Sequence, residues 1–295
     1  MPDKHKVFIQ KNTFTSTQKN IEINVLRLDV MSAIISGNKF FKLQLPIATA
    51  LAEGYGTVAT FGGAYSNHIV ATAGYCKLKG LKSIGFIRGE EPAIWSKTMK
   101  DAQELGMEFR FVTRAVYKDK AAIQKTWQHE QYYWVNEGGY GKLGAEGVKD
   151  MYEWIDESYT HIMCALGTGT MMAGLIKGAL PHQKVIGISV LKGHGTLQDQ
   201  VKGLLTESEK LKQYYLVQGY HFGGYAKHPE RLINWMNKLY EHQQLPSDIV
   251  YTSKLFFAVE DLLQKGYFEA GSKIMVIHSG GLQGNSSLAE GVLQF

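Results

Sequence analysis

Along most of this chain, short runs of β-branched and aliphatic residues alternate with segments whose apolar positions recur every three to four residues, the patterns of buried strands and amphipathic helices. The pattern predicts a strand over Ile21 to Asp29, a helix over Leu43 to Ala52 closed by Gly54, and a strand over Thr57 to Phe61 running into Gly62 and Gly63. Ser66 and Asn67 are N-cap residues for a predicted helix through Lys79. Strand Ser83 to Ile87, helix Ala93 to Leu105, strand Glu108 to Thr113, a helix near Lys118 to Glu130 and strand Tyr132 to Val135 are predicted next. The same rhythm predicts helix Gly144 to Glu157, strand His161 to Leu166, helix Thr170 to Leu180, strand Lys184 to Val190, helix Leu197 to Lys212 and a strand around Tyr214 to Gln218. Helix Pro229 to Gln243, strand Asp248 to Tyr251, helix Lys254 to Lys265, strand Lys273 to His278 and a short final helix complete the prediction.

This alternation predicts an α/β protein with parallel sheets covered by helices on both faces, and the strands outnumber those of one ordinary doubly wound sheet. Two α/β domains are expected. No Pro- or Ser-rich linker, internal repeat or low-complexity tract marks a boundary, so the domains are expected to share an interface and to interleave in sequence. Ligands of such folds bind beyond the carboxyl ends of strands. Four Gly-rich exits lie there: Gly62-Gly63-Ala64-Tyr65-Ser66-Asn67-His68, Asn136-Glu137-Gly138-Gly139, Gly167-Thr168-Gly169-Thr170 and His278-Ser279-Gly280-Gly281.

Composition narrows the class. The 295 residues, 44% apolar and 20% charged, describe a globular protein of enzyme size, and the formal charge of +5 is small and scattered. Nucleic acid is not an expected partner, although a mildly positive surface suits an anionic cofactor or substrate. The first residues lack the apolar core of a signal peptide, and no run approaches the roughly 18 apolar residues of a membrane span, so a cytoplasmic protein without membrane partners is expected. Cys76 and Cys164 have neither metal spacing nor a disulfide framework; they read as core thiols of a reduced compartment, and no metal is expected.

Several stretches are candidates for chemistry. Ser36-Gly37-Asn38-Lys39-Phe40-Phe41-Lys42-Leu43 sets a lysine at the exit of a polar turn, where a neighbouring cation and partial burial would make Lys39 a nucleophilic amine toward an aldehyde. The plain alternative is a solvated lysine at a helix start. Gly167 to Thr170 follows an apolar strand and opens a helix, which suits an anion, yet no Gly-Lys-Ser/Thr makes it a P-loop and Gly174 gives only a loose dinucleotide fingerprint. Ser66 and Asn67 offer a hydroxyl and an amide, or simply a helix cap, and His68 reads as a packed histidine. Tyr225 and Tyr251 lie at expected strand exits, as stacking phenols or as core. His278 precedes Ser279, but without a nucleophile elbow or a His-Glu-x-x-His motif hydrolase triads and zinc sites are disfavoured.

Taken in order, these motifs resemble those of the pyridoxal-phosphate enzymes grouped as 1-aminocyclopropane-1-carboxylate deaminase and D-cysteine desulfhydrase. Ser36 to Leu43 is similar to the Gly-Asn-Lys-x-Arg-Lys-Leu signature of that family, and Gly62 to His68 to its Gly-Gly-x-x-Ser-Asn-His/Gln. Gly167 to Thr170 falls where its phosphate loop falls, and Tyr225, Val250-Tyr251-Thr252-x-Lys254 and His278-Ser279-Gly280-Gly281 complete the series over nearly the whole chain. The resemblance implies pyridoxal 5'-phosphate as cofactor, Lys39 as its Schiff-base lysine and Cα proton shuttle, and Asn67 on the 3'-oxygen. It further implies Ser66 toward the substrate carboxylate or in proton transfer, the phosphate on Gly167, Thr168, Gly169 and Thr170, and Tyr225 and Tyr251 flanking cofactor and substrate. Ser279 would meet the pyridine nitrogen, where a neutral hydroxyl does not hold the ring protonated. The implied fold is tryptophan-synthase-β-like (pyridoxal-phosphate fold type II): two parallel-sheet α/β domains with the active site between them. Residues 1–47 and 158–295 would form the large cofactor-binding domain and 48–157 the small insertion. A small amino-acid substrate and a homodimer are implied.

The chain departs from the family pattern at Phe41, in place of arginine, at Ile69-Val70, in place of Thr-Arg, and at Leu282-Gln283-Gly284, which lacks the usual proline. Thr252 and Ser279 resemble the desulfhydrase pattern, which implies α,β-elimination of D-cysteine to pyruvate, ammonia and hydrogen sulfide. The alternatives are ring opening of 1-aminocyclopropane-1-carboxylate to 2-oxobutanoate and ammonia, a racemase or other deaminase on the same scaffold, and a non-catalytic phosphate- or nucleotide-binding module, for which Lys39 has no use.

Overall fold

The fully buried strand β7 (His161–Leu166) shows how the larger layer is assembled. Ile162, Cys164 and Leu166 enter one apolar cluster and Met163 and Ala165 another, so a continuous apolar run serves two faces with the period-two alternation of a strand. The protein was analysed as a computed structural model that describes residues 2–16, 19–35, 37–193 and 195–295. β7 lies in a six-stranded sheet with β1 (Phe8–Ser16), β2 (Ile21–Arg27), β8 (Lys184–Ser189), β9 (Tyr214–Val217) and β10 (Lys273–His278), in the order β1-β2-β10-β7-β8-β9. All its pairings are parallel except β1 with β2. A second sheet, entirely parallel, joins β3 (Thr57–Gly62), β4 (Lys82–Arg88), β5 (Met107–Val112) and β6 (Tyr132–Val135) in the order β5-β4-β3-β6.

Helix α1 (Asn38–Ala52) ties the two layers together. Its Phe41 packs with Leu26, Leu28 and Met171 of the larger layer, whereas Leu43, Ile47 and Ala50 pack with Val58, Ala71 and Cys76 of the smaller one. Helices α2 (Asn67–Leu78) and α3 (Lys97–Glu104) cover one face of the smaller sheet, with Ile69, Val70 and Ala73 packed against Ile87, Ala102 and Met107. Helices α5 (Lys142–Val148) and α6 (Thr170–Gly178) pack on one face of the larger sheet, and α9 (Thr252–Gln264) on the other. Helices α4 (Lys120–Thr126), α7 (Leu197–Lys202) and α8 (Glu230–Gln243) complete the α-helices of the described residues. The division into 1–47 with 158–295 and 48–157 is our proposal for the domains, but Ala145, Val148, Met151 and Ile155, which it assigns to the smaller one, pack in the larger sheet's core.

The architecture is the expected two-sheet α/β arrangement, with local differences. Asp248 to Tyr251, expected as a strand, is a turn whose backbone N–H groups are gathered by the Asp248 side chain. Four expected helices are shorter: α3 begins at Lys97 rather than Ala93, α4 follows a 3-10 turn at Val116–Lys118, α5 passes into a 3-10 turn at Lys149–Glu153, and α7 is separated from a 3-10 turn at Glu209–Leu211, whereas α1 begins at Asn38 rather than Leu43. Strand β1 was not anticipated. It is an antiparallel edge strand whose register shifts between Gln10 and Phe14, where Asn12 takes a positive φ, so its apolar positions do not alternate cleanly. Among the described residues no helix is long and apolar enough to cross a membrane.

Candidate active site

The start of α1 is stitched onto the exit of β10. Gly37 has a φ of 55°, and a Cβ there would fall 1.9 Å from the Ser279 carbonyl oxygen, so only glycine lets the turn close. The Asn38 N–H donates to that carbonyl at 3.2 Å. This places Lys39, the second residue of the helix, at the meeting of the two sheets, with its Nζ donating to Asn38 Oδ1 at 2.8 Å. Ser36 of the same motif lies outside the described residues.

Burial pulls the Lys39 amine down to about 8 from an ordinary 10.5, against the opposing attraction of the Asp248 carboxylate. Lys42, one turn on and buried, is held still further below its usual value, by burial first and by Lys39 second. His68 is buried beside them and drops to about 3 through burial and the two lysines. The Thr60 hydroxyl donates to Val135 O at 2.7 Å and therefore accepts from His68 Nε2–H at 2.8 Å, leaving Nδ1 as a buried acceptor without a protein partner. His68 is thus a neutral packed ring, as expected. His278 is likewise fully engaged: Nε2 donates to Pro246 O at 2.8 Å and Nδ1 accepts from Gly280 N–H at 3.2 Å.

The four Gly-rich exits converge on this point. Asn67 at the start of α2 donates from Nδ2 to Gly281 O at 3.4 Å, while its Oδ1 is buried with no protein partner. Ser66 caps α2 by accepting from His68 N–H at 3.3 Å, which leaves its own hydroxyl proton available. Gly138 approaches the third exit so closely that a Cβ there would lie 2.8 Å from Thr168 Cγ2, and a Cβ on the neighbouring Gly139 would lie 3.1 Å from Lys42 Cβ.

At Gly167 to Thr170 the chain enters α6 through Gly169, with no side chain capping the helix and no acidic residue in its first turn. The Thr168 and Thr170 hydroxyls are 3.0 Å apart. Uncapped N–H groups, a helix dipole and two hydroxyls make a cup for an anion. The Tyr251 ring borders it, 3.1 Å from where a Cβ on Gly167 would be, and Tyr225 meets Tyr251 edge-on with ring centroids 6.4 Å apart. Burial raises the Tyr251 phenol well above its ordinary range, and desolvation raises that of Tyr225 although the residue is 49% exposed, so both keep their protons. Ser279 is buried at the exit of β10.

Sequence reasoning missed Asp248. Its carboxylate is fully buried and accepts from the N–H groups of Val250, Tyr251 and Thr252 at 2.8, 2.9 and 2.8 Å and from the Thr252 hydroxyl at 2.7 Å. An acidic residue a few positions ahead of a helical period is a capping signal, which the strand-like run Ile249-Val250-Tyr251 disguised. The Thr252 hydroxyl is consumed here, since it also accepts from Asp248 N–H at 2.7 Å. The Phe41 departure also gains an explanation: the ring is fully buried and packs edge-on against Phe40 and Trp154, on the core side of α1.

The chain is similar to known proteins over most of its length. The family model for pyridoxal-phosphate dependent enzymes matches residues 16–280. A 1-aminocyclopropane-1-carboxylate deaminase of Bradyrhizobium diazoefficiens is 26% identical, the match covering 89% of this chain and 87% of that protein. A mitochondrial bifunctional D-cysteine desulfhydrase/1-aminocyclopropane-1-carboxylate deaminase of Arabidopsis thaliana is 25% identical, covering 89% and 73%. The crystal structure of an ACC deaminase homologue superposes with a TM-score of 0.79 at 26% identity, covering 95% of this chain and 90% of the other.

Proposed function

We propose that this chain, which belongs to the pyridoxal-phosphate dependent enzyme family, is a lyase of small amino acids that takes D-cysteine to pyruvate, ammonia and hydrogen sulfide. The observation that carries the reading is the Lys39 amine, brought down to about 8 by burial, where the Gly-rich exits converge, with the α6 N-terminus uncapped by any side chain and Asn67 Oδ1 buried without a protein partner. Those groups fit the cofactor. The α6 cup would hold its phosphate through Gly167, Thr168, Gly169 and Thr170, Lys39 would attach its aldehyde carbon, Asn67 would meet its ring oxygen, and Ser279 its ring nitrogen. The Asn67 amide supports this fit: Nδ2 has a second hydrogen beyond the one it gives Gly281 O at 3.4 Å and can donate it to the ring oxygen, while the buried Oδ1 is an acceptor that still needs a donor. When bound, pyridoxal phosphate supplies an electron sink that acidifies the substrate's Cα–H.

The remaining work falls to side chains. Lys39 Nζ would take the Cα proton as the sulfur departs from Cβ, its amine lowered by burial toward the pH at which both forms are populated. The Ser66 hydroxyl, with the N-terminus of α2 behind it, faces the substrate carboxylate. Tyr225 and Tyr251 keep a proton at Oη, ready for the departing sulfur, and His68 stays neutral at physiological pH.

The preference for D-cysteine rests on Ser279 more than on Thr252. The Thr252 hydroxyl is bound to Asp248, so this position bears on the substrate only by adding no second carboxylate there. Ring opening of 1-aminocyclopropane-1-carboxylate is the second reading, favoured by the deaminase names of the relatives. A homodimer in the cytoplasm belongs to the same proposal. The test is incubation of the purified, cofactor-loaded enzyme with each amino acid. Sulfide and pyruvate from D-cysteine without 2-oxobutanoate from the cyclopropane substrate is the expected result, and the reverse would hand the assignment to the second reading.

A further inference from the structure

The loop that carries Tyr225 is held from beneath by a lysine that the chemistry above does not use. Between Gly219 and Ala226 the backbone enters the positive-φ region five times, and at Phe222 and Ala226, with φ of 52° and 53°, it does so without glycine. Such positions persist only where the surroundings enforce them. Under this loop lies Lys254 in the first turn of α9, completely buried, its Nζ donating to His221 O at 3.0 Å and to Gly224 O at 2.7 Å. Both carbonyls also close turns of the loop, accepting from Gly224 N–H at 2.9 Å and Lys227 N–H at 3.2 Å.

Burying an ammonium costs several kcal/mol, and an apolar side chain would fill this helix start at less cost. What the lysine adds is two charge-assisted bonds to a strained turn. The Asp248 carboxylate favours its charged form against the pull of burial, and the same carboxylate holds the Tyr251 N–H at 2.9 Å. Lys254 thus holds the loop of Tyr225 from one side, and Asp248 holds the backbone of Tyr251 from the other.

We infer that Lys254 is a positioning residue, whose clamp on the His221 and Gly224 carbonyls fixes the 219–228 loop and so sets Tyr225 edge-on to Tyr251. Its consequence for catalysis rests on the reading of Tyr225 given above; its consequence for the loop does not. The experiment uses the holoenzyme and its Lys254→Met, Tyr225→Phe and doubly substituted forms, read by amide hydrogen exchange and by steady-state kinetics with D-cysteine and 1-aminocyclopropane-1-carboxylate. In Lys254→Met, exchange within 219–228 should rise at least about tenfold while that of β7 and α6 holds. The visible absorbance of the bound cofactor should be unchanged, and kcat should fall about a hundredfold with little change in KM. The double variant should be no worse than the poorer single one. Unchanged exchange in the loop, or losses that multiply in the double variant, would overturn the inference. Should Lys254→Met fail to fold, Lys254→Gln, which keeps one donor, should give intermediate exchange; failure of both to fold would assign the lysine to the core and overturn it. Loss of loop protection with activity intact in both single variants would keep the clamp and remove Tyr225 from the chemistry, so the two readings fail separately.

Discussion

Two helices of the larger layer, α6 and α9, begin beside the same tyrosine and finish their N-termini in opposite ways. At α9 three backbone N–H groups and a hydroxyl converge on Asp248, a carboxylate from the chain itself. At α6 glycine stands in the capping position, the first turn holds no acid, and the two threonine hydroxyls are within bonding distance of each other. Both ends carry the same unpaired donors and the same sign of helix dipole. The difference is whether the chain supplies the anion. An N-terminus that the sequence leaves open is available to a ligand, and one that it fills becomes a support for the groups nearby.

The largest effect tests what stands between the two ends. Lys39→Ala should abolish covalent attachment of pyridoxal phosphate and lower turnover at least about a thousandfold, read by borohydride trapping and keto-acid formation; retained attachment would remove Lys39 from its role. In the unsubstituted, cofactor-free protein, attachment needs the free amine, so its rate should rise as pH rises through about 8. The native lysine sheds its proton at about 8 and the unfolded one near 10.5, so the unfolded chain binds more protons between those values and the Lys39 contribution to stability increases across that window.

Next in size, Thr168→Asp would give α6 the internal carboxylate that α9 already has. Affinity for pyridoxal phosphate, measured by titrating the cofactor-free protein, should fall about a hundredfold through like-charge repulsion and occupied donors. An unchanged affinity would break the comparison. The converse change, Asp248→Asn, replaces one acceptor oxygen by a donor facing N–H groups, and should cost about 2 kcal/mol in urea unfolding. It also removes the charge that raises the Lys39 amine, so the attachment midpoint should move below about 8; a midpoint moving upward would contradict the assigned coupling. The smallest effect is expected from Thr252→Val, about 1 kcal/mol in stability with the ratio of D-cysteine to cyclopropane turnover preserved, because that hydroxyl serves Asp248. A changed ratio would return Thr252 to the substrate.

Much of this molecule follows from local pattern. The run Ile162 to Leu166, the Gly-rich strand exits, the Ser66 cap and the uncapped α6 cup were legible because strand period, turn chemistry and helix capping each depend on a few adjacent residues. Edge strand β1 was not, since its pairing with β2 supplies an order that its own alternation lacks. The Asp248 turn escaped because three β-prone residues follow an acid whose value lies in the donors it gathers, and that gathering exists only once α9 has formed.

By itself, then, the sequence determined the α/β class, the order of the Gly-rich exits and a lysine at the exit of a polar turn before a helix, all properties of neighbours along the chain. Tertiary structure alone decided that Phe41 faces the core, that His278 is held between Pro246 O and Gly280 N–H, that Thr252 is spent on Asp248, and that Lys254 lies under the Tyr225 loop. Each of those outcomes depends on burial and on hydrogen bonds or ring contacts that the folded chain completes, and desolvation and directional bonding act through space.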